Sequence, residues 1–566
     1  MAMFQHMCLP SPWLSKDARI SQNKERLATH YQPSIWSYEL VKTLKNDYGS
    51  KKYKKKARRL EFKVRMMLDD EGASVLATLE LIDSLQRLGL GYRFEKEIVR
   101  ILAKINSKEG LEENLHATAL RFRLLRQHGF EVSEDVFKSY TDHNGGSIAC
   151  LQKDVQGLRS LYEASSLGYD EETLLDEAKS YAKVHLKDVK NYTGTSLREE
   201  VYHALELPLH HRMQRLEARK YIDAYIKKED ANQLLLELAM LDFNMVQAAH
   251  QKDLQHVSRW WKSLGLPSNL SFIRDRLMEC FFWTVGVASE PHFSTCRIGL
   301  TKVTALITTI DDVYDVYGSL DELQLFTEAI ERWDINAVEH LPDYMKFCIL
   351  ALFNTVNEMA YDTLKEQGVY SLPILTNMWK DMCQAFLVEA KWNYDKYTPT
   401  LDGYLDNAWR SVSGVVILGH AYFLTSRNIT QEELECLQNY HDLLKWSSMI
   451  FRLCNDLGTS AAEIERGETA NSIRCYMTET SLSEELAREH IKSLVDEAWK
   501  KMNKYVVDDS PFAKTFIERA INLARIAQCT YQYGDGHGAP DMRSKNRITS
   551  LIIEPITPGQ RERSFG

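Results

Sequence analysis

Three carboxylates lie close together near the middle of the chain, in Asp311-Asp312-Val313-Tyr314-Asp315. Residues 302–310 before them carry apolar side chains at helical spacing, so we expect Asp311 and Asp315 on one face of a helix. Like charges this close raise each other's pKa unless a cation lies between them. Carboxylate oxygens suit Mg²⁺, which completes its coordination with water and substrate phosphate. A solvated acidic helix end is an equally good interpretation of this motif alone.

A second stretch, residues 452–463, places oxygen-bearing side chains four residues apart. On a helix, Asn455, Thr459 and Glu463 line one face at intervals of about 6 Å. An amide carbonyl, a hydroxyl and a carboxylate can hold one hard cation and leave room for a phosphate, within reach of Arg452. A polar outer face is the alternative, but the apolar neighbours of these residues are of types expected in a core.

Length and composition limit the function classes. The 566 residues exceed what one core usually serves, which predicts at least two domains. The net charge of -9 argues against a general nucleic-acid binder, and no apolar stretch is long enough for a bilayer span. The 10 cysteines form no CxxC pair and indicate reduced thiols.

The hydrophobic pattern is helical along nearly the whole chain. Residues 75–88 carry an apolar stripe that stops at Gly89 and Gly91, and similar stripes follow. Strand alternation, a P-loop and a dinucleotide-binding glycine motif are missing from the sequence. The predicted class is therefore all-α, with a domain boundary near residues 215–230.

Taken together, these stretches resemble a plant class I terpene synthase over nearly the whole chain. DDVYD resembles the aspartate-rich motif of that family, NDLGTSAAE its second metal motif, and Arg274-Asp275-Arg276 its RxR element. LELIDSLQRLGLGYRFEKEI, RLLRQHGF, SRWWKSLGL and YGDGHG match further segments. The resemblance implies an N-terminal arm at 1–36, a non-catalytic α-barrel-like helical domain at 37–222 and a catalytic helical bundle at 223–566.

The resemblance also implies three Mg²⁺ ions, with Mn²⁺ as a substitute, and a prenyl diphosphate substrate. It assigns the metal ligands to Asp311, Asp315, Asn455, Thr459 and Glu463, with Asp312 behind them. Diphosphate contacts fall to Arg274, Arg452 and Asn455. Clustered cations would stabilise the departing diphosphate, and an apolar cavity would keep water from the allylic cation.

Other positions are expected to shape that cavity. Trp283 is the favoured aromatic wall, with Phe281 and Phe282 as further candidates. Tyr531 and Asp535 fall in the C-terminal loop that covers the site in the family, as lid or terminal base.

Departures from the family pattern bear on the product. Many cyclising monoterpene synthases carry two arginines, eight residues and a tryptophan near the N-terminus, and this chain has Arg26, Leu27 and Trp36. Asn471 replaces a lysine that reaches the diphosphate in many relatives. With two cationic contacts missing, we predict a mainly acyclic product of the ocimene, myrcene or linalool type.

Substrate size is indicated by two pocket positions. Isoprene synthases usually have phenylalanine where this chain has Thr304 and serine where it has Val412, although Phe451 and Asn471 agree with that subgroup. A threonine leaves room for a longer chain, so we predict geranyl diphosphate. The alternatives are a cyclic monoterpene, and farnesyl diphosphate with farnesene or nerolidol as product.

A catalytically inactive helical interaction protein is another alternative, which loss of metal ligands would mark; no ligand is lost. The substrate favours a plastid location, while the short leader, residues 1–25, leaves the cytoplasm as the alternative. We expect a monomer or a weak homodimer.

Overall fold

The structure, a computed structural model, describes residues 32–107, 114–140, 153–188, 195–466, 470–507 and 510–557. Within these ranges it consists of helices and connecting turns, without a strand, which confirms the all-α prediction. None of the helices in these ranges combines the length and hydrophobicity that a bilayer crossing requires.

The N-terminal half consists of short amphipathic helices: α1 (Tyr38–Thr43), α2 (Lys51–Leu68), α3 (Val75–Arg87), α4 (Glu95–Asn106), α5 (Leu115–Gln127), α6 (Val155–Ser165), α7 (Thr173–Asp188), α8 (Thr195–Glu206) and α9 (Gln214–Tyr225). In α3, the Ser74 hydroxyl accepts from the Ala77 N–H at the start, and the apolar stripe is buried. Gly89 follows with φ of 74°, and a Cβ there would lie 2.8 Å from Ala218 on α9. The predicted helix stop therefore also lets α3 and α9 approach.

The C-terminal half holds longer helices: α10 (Gln233–Leu264), α11 (Leu266–Asn269), α12 (Leu277–Val287), α13 (Ser294–Asp312), α14 (Leu320–Arg332), α15 (Asp343–Gln367), α16 (Leu372–Asp395), α17 (Leu401–Ser411), α18 (Gly414–Thr425), α19 (Gln431–Gln438), α20 (Asp442–Arg466), α21 (Ser472–Thr480), α22 (Glu484–Lys504), α23 (Lys514–Tyr531) and α24 (Met542–Ile548). Helix α10 packs against α2 on one side and α13 on the other. Its buried Asp242 pairs with Arg93 and Arg215 from the N-terminal half. The two halves thus share buried contacts, and the boundary at 222/223 stays a prediction.

The end of α13 differs from the sequence prediction. The α-helix stops at Asp312, and a π-helical turn (Val313–Tyr317) follows, so Asp311 and Asp315 do not lie on one continuous α-helical face. Val313, Tyr314 and Val316 are buried, and Tyr314 donates to or accepts from the Thr327 hydroxyl at 2.8 Å. Packing of these side chains fixes a wider turn than helical propensity alone predicts.

Candidate active site

A cavity of about 720 Å³ opens in the C-terminal half, bounded by residues of α12, α13, α14, α16, α17, α18 and α20, by the end of α23 and by the segment after it. It brings together every residue that the sequence assigned to catalysis, substrate or metal: Arg274, Trp283, Thr304, Asp311, Asp315, Val412, Arg452, Asn455, Thr459, Glu463, Tyr531 and Asp535. The prediction that Phe281 and Phe282 also line the cavity was wrong, since both are buried in the core and neither is part of the cavity wall.

We call the first polar wall of the cavity the aspartate face; it consists of Asp311, Asp312 and Asp315 with Arg274. Asp312 is fully buried, and its Oδ1 lies 2.7 Å from Arg274 Nε. The Arg274 backbone N–H donates to the other oxygen at 2.6 Å, and the guanidinium also pairs with Asp311. Burial raises the pKa of Asp312 to about 6, although Arg274 opposes the rise. Asp312 therefore anchors Arg274, while Asp311 and Asp315 line the cavity.

We call the second wall the α20 face; it consists of Asn455, Thr459 and Glu463. The Thr459 hydroxyl lies 2.9 Å from the Asn455 carbonyl and 2.5 Å from Glu463 Oε1, so its one proton is shared between them. Asn471 donates from Nδ2 to Glu463 Oε2 at 3.1 Å. Neutral donors hold both oxygens of this carboxylate.

Arg452 lies one turn before the α20 face and keeps its charge inside the cavity wall. Its guanidinium donates to the Asn455 side-chain oxygen at 3.3 Å and to the Ser411 hydroxyl at 2.7 Å. Nε donates to the Ala408 carbonyl at 3.2 Å. The guanidinium also lies 3.6 Å from Asp456 Oδ1 and 3.9 Å from Glu389 Oε1. These contacts keep Arg452 charged and orient its guanidinium at the cavity wall.

The inner part of the cavity is aromatic and apolar. The ring centroid of Trp283 lies 4.7 Å from that of Phe451, 6.0 Å from Tyr531 and 6.4 Å from His537. Thr304 also lines this part, and its hydroxyl donates into its own helix, to the Leu300 carbonyl at 2.9 Å. The wall therefore offers ring faces, which attract cations, and few polar groups.

His537 lines the cavity, and the sequence analysis passed over it. The Thr308 hydroxyl lies 3.0 Å from the Thr304 carbonyl and 3.1 Å from His537 Nε2. Burial lowers the pKa of His537 to about 4, and the charge of Arg274 acts in the same direction, so the imidazole is neutral. The signal was the YGDGHG segment, of which only Tyr531 before it and Asp535 within it were singled out.

Asp535 has a structural contact in the same loop. Its Oδ1 accepts the backbone N–H groups of His537 at 3.1 Å and Gly538 at 2.7 Å. Burial raises the pKa of Tyr531 well above its usual range, so the phenol stays protonated. Asp535 therefore shapes the loop that presents His537 to the cavity.

The donor set of the cavity favours a hard cation. No group of three or more His, Cys, Asp or Glu comes together anywhere in the described ranges, so zinc-type clustering is missing there. Carboxylate, amide and hydroxyl oxygens instead line one cavity from two walls. Mg²⁺ takes one or two carboxylates and completes its octahedron with water and phosphate. This coordination fits the cavity, because neither wall alone offers enough oxygen ligands for a full octahedron.

Two family models of known proteins match the two halves of the chain. The family model "Terpene synthase, N-terminal domain" matches residues 35–205, and "Terpene synthase family, metal binding domain" matches residues 262–501. The chain belongs to the terpene synthase family, and it is a lyase that removes diphosphate from prenyl diphosphates. The resemblance inferred from the motifs is confirmed.

The chain is 56% identical over 537 residues to probable terpene synthase 12 of Ricinus communis, covering 94% of this chain and 91% of that protein. Further relatives, at 53–54% identity, carry the names tricyclene synthase TPS4, chloroplastic (Medicago truncatula), isoprene synthase, chloroplastic (Populus tremuloides) and myrcene synthase, chloroplastic (Quercus ilex). Each of these three covers 94–95% of this chain and 90–92% of its own length. Close relatives therefore differ in product.

Two solved structures match over nearly the whole chain. Isoprene synthase from grey poplar (Populus x canescens), in complex with three Mg²⁺ ions and dimethylallyl-S-thiolodiphosphate, aligns with a TM-score of 0.87 at 54% identity, over 93% of this chain and 100% of that one. Limonene synthase with 2-fluorolinalyl diphosphate aligns with a TM-score of 0.92 at 42% identity, over 94% and 100%. The prediction that Mg²⁺ is the cofactor is confirmed.

Proposed function

We propose that this enzyme ionises geranyl diphosphate and releases a mainly acyclic monoterpene of the ocimene, myrcene or linalool type. The observation that carries the substrate choice is Thr304 in the cavity wall, since its short side chain leaves volume that a phenylalanine would fill. A relative at 53% identity that is named a myrcene synthase, from Quercus ilex, supports the choice of this product class.

We propose the following roles for the polar walls. Asp311 and Asp315 on the aspartate face, and Asn455, Thr459 and Glu463 on the α20 face, would hold the Mg²⁺ ions. Bound Mg²⁺ would neutralise the leaving diphosphate and so lower the barrier to ionisation. Arg274 and Arg452 contact the same anion from the two walls and keep it oriented.

The fate of the allylic cation depends on the inner wall. Trp283 and Phe451 present ring faces to the positive charge, and the enclosed wall keeps bulk water away. Proton loss needs an acceptor, and we assign this role to the neutral His537 imidazole, whose Nε2 contacts Thr308 while Nδ1 has no hydrogen-bond partner among the described residues. Tyr531 stays protonated and is therefore a poor proton acceptor, whereas Asp535 holds the loop that carries His537 through its backbone N–H groups.

An acyclic product follows from the charge balance around the diphosphate. The geranyl cation has a trans double bond and closes a six-membered ring only after the diphosphate is recaptured and the freed bond rotates. A difference of about 1.4 kcal/mol between competing barriers changes a product ratio tenfold. Asn471 donates to Glu463, so it adds no charge to the anion. Leu27, the other departure, lies outside the described residues.

Gas chromatography of products from the purified enzyme tests this proposal. We expect greater kcat/KM on geranyl diphosphate than on dimethylallyl or farnesyl diphosphate, with acyclic compounds as the main products. Preference for dimethylallyl diphosphate would contradict the role of Thr304. Limonene, terpineol, cineole or a bicyclic compound as main product would contradict the acyclic assignment, and farnesene or nerolidol from a preferred farnesyl diphosphate would support the larger-substrate alternative.

We also propose that the enzyme works in plastids. Relatives from Medicago, Populus and Quercus are named chloroplastic, and none of these names supports the cytoplasmic alternative. A fluorescent fusion to the C-terminus of the full-length protein should accumulate in chloroplasts, and cytosolic fluorescence would contradict the proposal. The expectation of a monomer or weak homodimer is tested separately, by light scattering across protein concentrations.

A further inference from the structure

Asn471 directly precedes α21 and is almost completely buried. Its side-chain oxygen accepts the backbone N–H of Arg474 at 2.9 Å, which caps the helix. Its side-chain nitrogen points the other way and donates to Glu463 Oε2 at 3.1 Å. The side-chain amide of Asn471 therefore caps α21 with its oxygen and binds a carboxylate of the α20 face with its nitrogen.

The start of α21 is fixed to α20 by a second contact. The Ser472 backbone N–H donates to Asp456 Oδ2 at 2.9 Å, and the Tyr404 hydroxyl donates to the other oxygen of Asp456 at 3.1 Å. Asp456 and Tyr404 are both buried. The backbone of residue 471 thus has little freedom, and its amide nitrogen reaches Glu463 from a rigid support.

Glu463 has a donor on each oxygen. Thr459 lies at Oε1 and Asn471 at Oε2, and both donors are neutral. A neutral donor restricts rotation of the carboxylate and leaves its negative charge intact. A lysine at the same distance would cancel much of that charge, and a divalent cation would have to compete with it.

We propose that Asn471 is a positioning residue for the metal site: its amide fixes the Glu463 carboxylate so that a divalent cation meets an oriented ligand. The assignment differs from the diphosphate contact made by lysine in many relatives. It rests on the proposed role of Glu463 as a metal ligand. Partners that orient a ligand typically change metal affinity by about 10- to 100-fold when removed.

Asn471→Ser separates the two functions of the amide. Serine is also a strong helix cap, so the contact to the Arg474 N–H is kept, while the donor to Glu463 is lost. Asn232→Ser is the matched control, because Asn232 caps α10 through the N–H groups of Leu234 and Leu235 and does not line the cavity. The readouts are Mn²⁺ binding by electron paramagnetic resonance, in the presence of inorganic diphosphate, and the melting temperature in EDTA.

We expect Asn471→Ser to weaken Mn²⁺ binding by about 10-fold, and Asn232→Ser to leave it unchanged, with similar melting temperatures for the two variants. Wild-type Mn²⁺ affinity in Asn471→Ser would overturn the proposal. The same substitution in a Glu463→Ala background tests whether Asn471 acts through Glu463. If it does, Asn471→Ser should have no further effect on Mn²⁺ binding there.

The double variant also covers the remaining outcomes. An equal loss of affinity in both backgrounds would show that Asn471 acts through the diphosphate or through folding, which overturns the proposal. If Glu463→Ala alone leaves Mn²⁺ binding unchanged, Glu463 is not a metal ligand, and the proposed function fails at that residue. The two failures are therefore distinguishable.

Discussion

The two polar walls of the cavity, which we propose bind the metal ions, are built differently. On the aspartate face, the Arg274 guanidinium pairs with Asp311 and Asp312, and the α-helix gives way to a π turn between Asp311 and Asp315. On the α20 face, the proposed ligands lie on one continuous α-helix, and hydrogen bonds from the uncharged side chains of Thr459 and Asn471 hold Glu463. On the first wall the arginine pairs with carboxylates, whereas on the second wall Arg452 contacts the uncharged amide oxygen of Asn455.

This difference indicates how metal binding and substrate binding are connected. A divalent cation at Asp311 competes with Arg274, so the aspartate face favours the ion most when a diphosphate is present to take over the guanidinium. On the α20 face, the contact from Arg452 is to the uncharged amide oxygen of Asn455, which is weaker than a pair with a carboxylate. We infer that metal affinity rises when Arg274 is removed from the aspartate face and falls when Asn471 is removed from the α20 face. The following predictions test the comparison of the walls from the largest effect to the smallest.

The largest effect should come from loss of the ligands themselves. Asp311→Ala and Glu463→Ala should each lower kcat/KM by about 10²-fold or more, because both walls must stabilise the leaving diphosphate. Excess EDTA should abolish turnover, and Mg²⁺ or Mn²⁺ should restore it. Steady-state kinetics at saturating Mg²⁺ measure the effect. Full activity in either variant would show that the wall carrying that residue is not needed for ionisation.

The inner wall should change substrate size without changing metal dependence. Thr304→Phe should fill the end of the cavity and shift the ratio of kcat/KM for geranyl over dimethylallyl diphosphate downward by about 10-fold or more. Thr304→Val is the control, since it keeps the volume and removes only the hydroxyl. An unchanged ratio would show that the residue does not limit the chain, and a changed Mg²⁺ requirement would show that the inner wall and the metal walls are not independent.

Removal of the competing cation should have a smaller effect of opposite sign. Arg274→Gln should tighten Mn²⁺ binding in the absence of diphosphate by roughly 1 kcal/mol, about fivefold, while it lowers turnover. Arg452→Gln is the control, because Arg452 donates to Asn455, Ser411 and the Ala408 carbonyl and should not block a ligand carboxylate. Calorimetric titration of the metal measures both, and equal responses would contradict the difference between the walls.

The smallest effect concerns the distance between α20 and α23. A Cβ at Gly458 would lie 3.0 Å from both the Tyr531 carbonyl oxygen and Tyr531 Cβ. Gly458→Ala should therefore lower the free energy of unfolding by about 1 kcal/mol, although alanine favours the helix. Denaturant unfolding measures this free energy. Gly368→Ala is the control for backbone strain: Gly368 is exposed, a Cβ there would meet no atom within 4 Å, and only its φ of 72° disfavours alanine.

The sequence predicted the parts of the site that depend on local spacing. Asn455, Thr459 and Glu463 came out on one helix face because four-residue spacing and an unbroken α-helix are properties of a short segment. The assignment of Thr304, Val412 and Trp283 to one cavity needed the family resemblance, since these residues lie on different helices. The roles of all these residues stay predictions until the variants are measured.

Other features depend on contacts between distant segments, which spacing does not contain. The hydrogen bond from Asn471 to Glu463 connects the start of α21 to α20. His537 lines the cavity in a loop whose backbone N–H groups bind Asp535. The pairing of Arg274 with Asp312 also joins separate segments, 38 positions apart. Each of these contacts follows from tertiary packing.

The π turn at Val313–Tyr317 has a consequence for comparing sequences of different lengths. A π turn contains about one residue more than an α turn, and each residue in an α-helix accounts for about 100° of rotation. Because an α turn and a π turn each complete about one rotation, deletion of a single residue there would convert the π turn into a regular α turn and leave the side chains on either side in nearly their original directions. In an alignment, a one-residue gap inside this segment would therefore indicate a relative with a regular α-helix at this point, and would not by itself indicate a lost metal site.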